Sequence, residues 1–210
     1  MTDGCRDGCC ESNGTRSALV GVSPEGRALR RAAFAAVLDG RREPLAALAA
    51  AAGASDAEAD DLVARGLAVL DEERRVVAAG GLSLVPARQH RLAVRGRRFW
   101  TWCAIDAVGI PAALGEDAVV ETTCHHCGVP VRVVHRAGAV AEASHPAARL
   151  WNAEHAPGRS MAGGTCGLMN LFCSPEHLRA WLDGHPDARG DAVDLAGAAE
   201  LGRAWWGPLR

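Results

Sequence analysis

Residues 67–86 read LAVLDEERRVVAAGGLSLVP. Two apolar runs rich in valine flank the charged residues Asp71 to Arg74, a pattern that predicts a β-hairpin with its tip on the charges. What precedes the hairpin decides the fold to which it belongs. The stretches EPLAALAAAAGAS (43–55) and SDAEADDLVARGL (55–67) read as two helices that stop at Gly53 and Gly66. Upstream, SPEGRALRRAAFAAVLDG (23–40) opens with Ser23 before Pro24 and Glu25, which suit an N-cap and a first turn. It closes on Gly40 after Leu29, Ala33, Ala36 and Val37 trace one helical face. Three helices followed by a hairpin make a winged-helix plan over residues 23–90. Residues 1–22 carry no apolar period and are rich in Gly, Ser, Asp and Cys, so they are expected to form a mobile tail.

A winged helix invites a DNA-binding reading, and the residues oppose it. The helix in the recognition position carries Asp56, Glu58, Asp60 and Asp61 against Arg65, so phosphates in a major groove would repel it. The arginine cluster RQHRLAVRGRR (88–98) reads as a solvated strand and turn. A formal net charge of -2 over 210 residues leaves no electrostatic footprint for nucleic acid. No apolar run approaches the roughly 20 residues of a membrane span, and the opening MTDGCRDGCCESNGT is polar where a signal peptide would be apolar. The expectation is a cytoplasmic protein with neither a nucleic-acid nor a membrane partner.

From about residue 91 to 210 short strands and helices mix. DAVVET (117–122) and VPVRVVH (129–135) read as a hairpin-like pair around TCHHCG, and GTCGLMNLFC (164–173) as a further strand. SPEHLRAWLDGHP (174–186) is a capped helix, and DLAGAAELGRAWW (194–206) a last one. The expected fold class is α+β: a winged-helix-like helical module, then an α+β catalytic domain with a small mixed or antiparallel sheet.

The eight cysteines, without an export signal, point to thiols or metal ligands rather than disulfides. After Cys5, Cys9 and Cys10 no cysteine occurs for 92 residues, so the chemistry is expected in the second half. In RRFWTWCAIDAVGIP (97–111) the apolar run suffices for about three helical turns, with Pro111 marking the end. In a helix Cys103 and Asp106 share a face about 5 to 6 Å apart. Trp100, Trp102 and Ile105 would wall them in, and desolvation would let Asp106 hold a proton near neutral pH. The plainer alternative is a buried thiol used as a small hydrophobe beside a boundary carboxylate. Cys166 stands in a Gly-rich approach where backbone and ligand come close. Cys166 and Cys173, seven apart, would point to opposite faces of an unbroken strand and so could not grip one ion. Cys124 and Cys127 form a Cys-x-x-Cys knuckle, which signals zinc when a second close pair completes it; the spacing offers only Cys166 and Cys173. A structural zinc therefore stays open, as does soft-metal capture by the CRDGCC tail.

With these residues in view, FWTWCAIDAVGIPAALG (99–115) and TCGLMNLFCSPEHLRAW (165–181), in this order, resemble the organomercurial (alkylmercury) lyases. The likeness runs loosely over residues 23–206. It implies that Cys103 and Cys166 are mercury-binding thiols, Asp106 the catalytic carboxylate and Cys124 a structural cysteine. It further implies protonolytic cleavage of a carbon–mercury bond to hydrocarbon and Hg(II) without an organic cofactor. External small thiols, or mercuric reductase, would take the product. Cys127 and two histidines make TCHHCG richer in ligands than the family pattern, and Gly167 stands where some relatives carry a cysteine. The chemistry is coherent, since soft mercury binds thiolates strongly and a nearby acid can protonate the carbon. One alternative is a non-catalytic protein of the same fold that binds or transfers mercury, copper or zinc and has no need of Asp106. Another is a metal-responsive regulator with the winged helix on DNA.

Overall fold

The computed structural model describes residues 21–156 and 158–209. The tail cysteines Cys5, Cys9 and Cys10 lie outside the described residues. Helix α1 (Pro24–Leu38) begins where Ser23 accepts the Gly26 N–H at 2.9 Å, and it buries Leu29, Ala33, Phe34 and Val37. Helix α2 (Leu45–Ala52) stops at Gly53, whose left-handed φ of 69° suits a residue without a Cβ. Helix α3 (Asp56–Ala64) opens with a capping box: Ser55 accepts the Glu58 N–H at 3.3 Å, and Glu58 accepts the Ser55 N–H at 2.7 Å. Asp56, Asp60 and Asp61 stay on its exposed side.

The region after α3 is a three-strand meander, β1 (Ala68–Leu70), β2 (Val76–Ala79) and β3 (Leu82–Ser83), one strand more than the hairpin expected. Its first turn is the charged one. Its second is the Gly80–Gly81 pair, with φ of 55° and 93°, a two-residue turn that other residues enter only with strain. The sheet does not end there. Strand β3 pairs with β5 (Arg97–Thr101), and the order continues through β4 (Arg91–Val94), β6 (Ala118–Thr123), β7 (Pro130–Arg136) and β8 (Ala139–Ala143), every pairing antiparallel. One sheet thus crosses residue 90. A second antiparallel sheet places β9 (Arg149–Ala153) between β10 (Leu171–Phe172) and β11 (Gly190–Asp194).

Helix α4 (Ala104–Leu114) is buried from Ala104 to Ala113, which explains a sequence that is apolar all round rather than on one stripe. It crosses α6 (Leu195–Trp206) at glycine on glycine: a Cβ on Gly202 would stand 2.2 Å from the Gly109 Cα. Trp206 on α6 donates its indole N–H to the Gly80 carbonyl at 2.6 Å and so anchors the Gly80–Gly81 turn. Helix α5 (Pro175–Asp183) follows β10. Among the described residues no helix is long and apolar enough to cross a membrane.

Three local expectations are corrected. The run 97–111 is not one helix: its first residues form β5, and α4 starts only after Cys103. Pro111 lies inside α4, which continues to Leu114 and stops at Gly115 (φ 72°); burial on every side offsets the roughly 3 kcal/mol that an interior proline costs. GTCGLMNLFC is mostly not strand. Residues Thr165–Leu168 form a 3₁₀ turn, and only Leu171–Phe172 pair as β10. The Cys166 N–H bonds the Met161 carbonyl at 3.0 Å and the Met169 N–H bonds the Cys166 carbonyl at 3.2 Å, so the turn satisfies the backbone locally and no ladder is needed.

Candidate active site

Cys103 occupies the N-cap of α4, where β5 gives way to helix. Its backbone is fixed from both directions. The Thr101 hydroxyl donates to the Cys103 carbonyl at 2.9 Å, and the Cys103 N–H donates to Asp106 Oδ2, also at 2.9 Å. In return the Asp106 N–H donates to Cys103 Sγ at 3.4 Å. This is a capping box built from a thiol and a carboxylate, and it is why the pair sits three residues apart. The third group arrives from 60 residues downstream. The Ala104 N–H bonds the Met169 carbonyl at 3.0 Å, which lays the 3₁₀ turn carrying Cys166 against the start of α4. Cys103 Sγ, Cys166 Sγ and an Asp106 carboxylate oxygen all lie within 4.8 Å of one another. Cys103, Asp106 and Cys166 are only 1%, 4% and 2% exposed. Met169 brings its sulfur to 3.7 Å from Cys103 Sγ.

Burial dominates the electrostatics. It pushes the Asp106 carboxyl from 3.8 up to about 7, although bonds from Cys103, the Arg30 charge and the Trp102 backbone pull the other way. Burial also drives the Cys103 thiol well above its ordinary value, with the bond to Cys166 and the Asp106 charge adding to it. For Cys166 the bond to Cys103 pulls down, but burial and Asp106 prevail and the thiol ends raised. At neutral pH both sulfurs therefore keep their protons and Asp106 stands near half-ionisation. It is the one group of the three able to take or give a proton there.

Two supporting residues escaped the sequence reading. Arg30 of α1 is buried, and its guanidinium is lowered to about 10 by desolvation, against the opposing pull of Asp106. Gly81 lies so close that a Cβ there would meet Asp106 Oδ1 at 2.5 Å. Of the expected walls, Trp102 and Ile105 are buried, whereas Trp100 is half-buried beneath Arg91, whose Cζ sits 4.4 Å from the ring centroid.

The other cysteines among the described residues gather elsewhere. Cys124, Cys127, Cys173 and His177 present ligand atoms within 4.8 Å of one another. The second pair that the Cys-x-x-Cys knuckle called for is thus Cys173 with His177, not Cys166 with Cys173. The signal was the Cys-x-x-x-His of CSPEH. The knuckle's own histidines face other partners, His125 against the edges of Phe172 and Trp181, and His126 against the His177 ring.

Residues 82–207, more than half of the chain, match the family model MerB, alkylmercury lyase. The chain belongs to the alkylmercury lyase family. The alkylmercury lyases of Bacillus cereus and Staphylococcus epidermidis are 31% and 32% identical to it over 134 residues. That stretch is 64% of this chain and 60% of each relative, so it spans less than two thirds of their length. The crystal structure of the mercury-bound form of MerB2 superposes with a TM-score of 0.83 at 26% identity, covering 93% of this chain and 96% of that one. The family match takes in Cys103, Asp106, Cys124, Cys127, Cys166, Cys173 and His177, while Arg30 and the three N-terminal helices precede it.

Proposed function

We propose that this chain is an organomercurial lyase in which Cys103 and Cys166 bind the mercury of R–Hg(II) and Asp106 carries the proton. The observation that carries the reading is the convergence of two buried thiols and one buried carboxyl on a single point. For a substrate R–Hg–SR′, one protein thiol proton leaves with the displaced thiolate as R′SH, and the other passes to the Asp106 carboxylate. Mercury is then held by two sulfurs and carbon. The two thiolates raise the electron density on carbon, Asp106 returns its proton there, and the electron pair of the C–Hg bond stays with R as the hydrocarbon RH. Hg(II) remains on Cys103 and Cys166, and two external thiols, or mercuric reductase, remove it and restore both S–H groups. No redox step and no organic cofactor enter the balance.

Because all three residues are enclosed, substrate must displace a covering side chain, and the thioether of Met169 beside Cys103 is soft enough to yield to mercury. Residues 23–90 act as a winged-helix-like module with a structural role. Its support is that the Arg65 and Gly66 carbonyls accept the N–H groups of Met161 and Ala162 at 2.9 and 3.2 Å, just ahead of Cys166, while Arg30 backs Asp106. The acidic exposed face of α3 argues against nucleic acid. The cysteines among the described residues are free thiols, which suits a reducing cytoplasm.

The deciding assay incubates the full chain with methylmercury or phenylmercury and excess thiol and measures methane or benzene. Wild type should release hydrocarbon, and Asp106→Ala should bind mercury while losing most turnover. Absence of hydrocarbon from every organomercurial tried would leave a soft-metal carrier in its place.

A further inference from the structure

The second cluster of sulfurs has no part in the chemistry just described. Cys124 ends the β6 side of the β6–β7 connection and Cys127 follows in its turn, where Gly128 has a φ of 74° and its N–H closes onto the Cys124 carbonyl at 2.9 Å. Cys173 comes directly after β10. Ser174 caps α5 by accepting the His177 N–H at 3.3 Å, which fixes His177 on the first turn beside Cys173. The resulting separations are 3.9 Å between Cys127 Sγ and Cys173 Sγ, 3.6 Å from Cys124 Sγ to His177 Nδ1, and 3.1 Å from Cys173 Sγ to His177 Nδ1. A tetrahedral zinc with ordinary bond lengths sets its sulfurs about 3.8 Å apart and a sulfur and a nitrogen about 3.5 Å apart. Two of the three separations match closely, and the third needs only a few tenths of an ångström.

The surroundings point the same way. The backbone N–H of Cys173 donates to Cys124 Sγ at 3.3 Å, across from the knuckle. A backbone donor on one sulfur orients it, as the outer shell of a metal site orients its ligands. Three sulfurs and an imidazole complete a closed coordination shell with no position left for a reactant.

We infer that Cys124, Cys127, Cys173 and His177 hold one structural zinc ion, separate from the mercury-binding thiols. The ion ties the tip of the β6–β7 hairpin to the β10–α5 junction, beside the His125 N–H bond to the Leu171 carbonyl at 2.8 Å. Cys173 lies seven residues after Cys166, so the zinc fixes the far end of the segment that presents the second catalytic thiol. The site needs no organomercurial chemistry and stands or falls apart from it.

The test is metal analysis of the full chain, purified under reductant without chelator from zinc-supplemented cells. Wild type and Cys103→Ser should each carry one zinc per chain. Cys173→Ser and His177→Ala should lose most of it, and His177→Cys, which restores a ligand, should regain it. Cobalt exchanged into wild type should show the intense thiolate-to-cobalt absorption of a tetrahedral site, weakened in Cys127→Ser. Chelation of the zinc should lower the Tm of wild type and leave that of Cys173→Ser unmoved. Wild type without zinc, iron in its place, a Cys127–Cys173 disulfide seen as a gain in mass on reduction, or full zinc in the Cys173→Ser and His177→Ala double variant would each overturn the assignment.

Discussion

Replacing Asp106 with asparagine separates the stability cost of the buried carboxyl from its chemical use. The carboxyl titrates at about 7 in the folded protein and at 3.8 as the ordinary group, so the native state holds its proton more tightly than the unfolded chain. Stability is therefore lost as pH rises above 3.8, and the penalty reaches its full size above about 7. Three units correspond to roughly 4 kcal/mol, nearly all of it expressed at pH 8 but only about 1.5 kcal/mol at pH 5. Asparagine carries no charge and escapes the penalty. It can still accept the Cys103 N–H that Asp106 Oδ2 now accepts at 2.9 Å. Urea unfolding of both proteins under reductant, at pH 5 and pH 8, isolates this group, because other titrations cancel in the difference. Asp106→Asn should gain about 2 to 3 kcal/mol relative to wild type between the two pH values, while hydrocarbon release collapses. The loss of Arg30's counter-charge makes an offset that is nearly constant over this range, since Arg30 titrates at about 10. A stability difference that stays flat from pH 5 to pH 8 would show that the carboxyl is not raised by burial, and the proton-carrier role would go with it.

In the proposed mechanism Asp106 first accepts a proton, so turnover should rise with pH through about 7. Arg30→Met removes a charge that holds Asp106 down and should move that rise to higher pH; an unshifted profile with a uniformly lower rate would make Arg30 merely structural. Gly81→Ala combines a φ of 93° with a Cβ 2.5 Å from Asp106 Oδ1, so it should cut turnover at least tenfold and cost about 1 to 3 kcal/mol. Gly96→Ala, at a φ of 68° with nothing within 4 Å, supplies the strain without the collision and should leave turnover near wild type. Gly202→Ala forces α6 off α4 at the Gly109 crossing and should lower stability by about 1 to 3 kcal/mol in thermal or urea unfolding, and a neutral outcome would contradict the close packing.

The features legible in the sequence are those that short-range physics dictates. Ser23 and Ser55 cap their helices because each side-chain oxygen needs only a backbone N–H three residues on, and Gly53 and Gly115 stop theirs because a left-handed residue is cheapest without a Cβ. The closeness of Cys103 and Asp106 is likewise local, a capping box that spans three residues at the start of α4. Pro111 stays helical where tertiary burial overrides a local preference, and GTCGLMNLFC leaves the strand where a 3₁₀ turn closes its own backbone bonds. The sequence by itself determined which groups this protein has for chemistry and that one thiol and one carboxyl stand together. Only the tertiary structure decided that Cys166 joins them, that Arg30 and Gly81 press on Asp106, and that Cys173 pairs with His177 across from the knuckle. Those meetings follow from a sheet that runs through residue 90 and from an Ala104–Met169 backbone bond, and contacts between distant segments depend on how whole elements pack rather than on spacing along the chain.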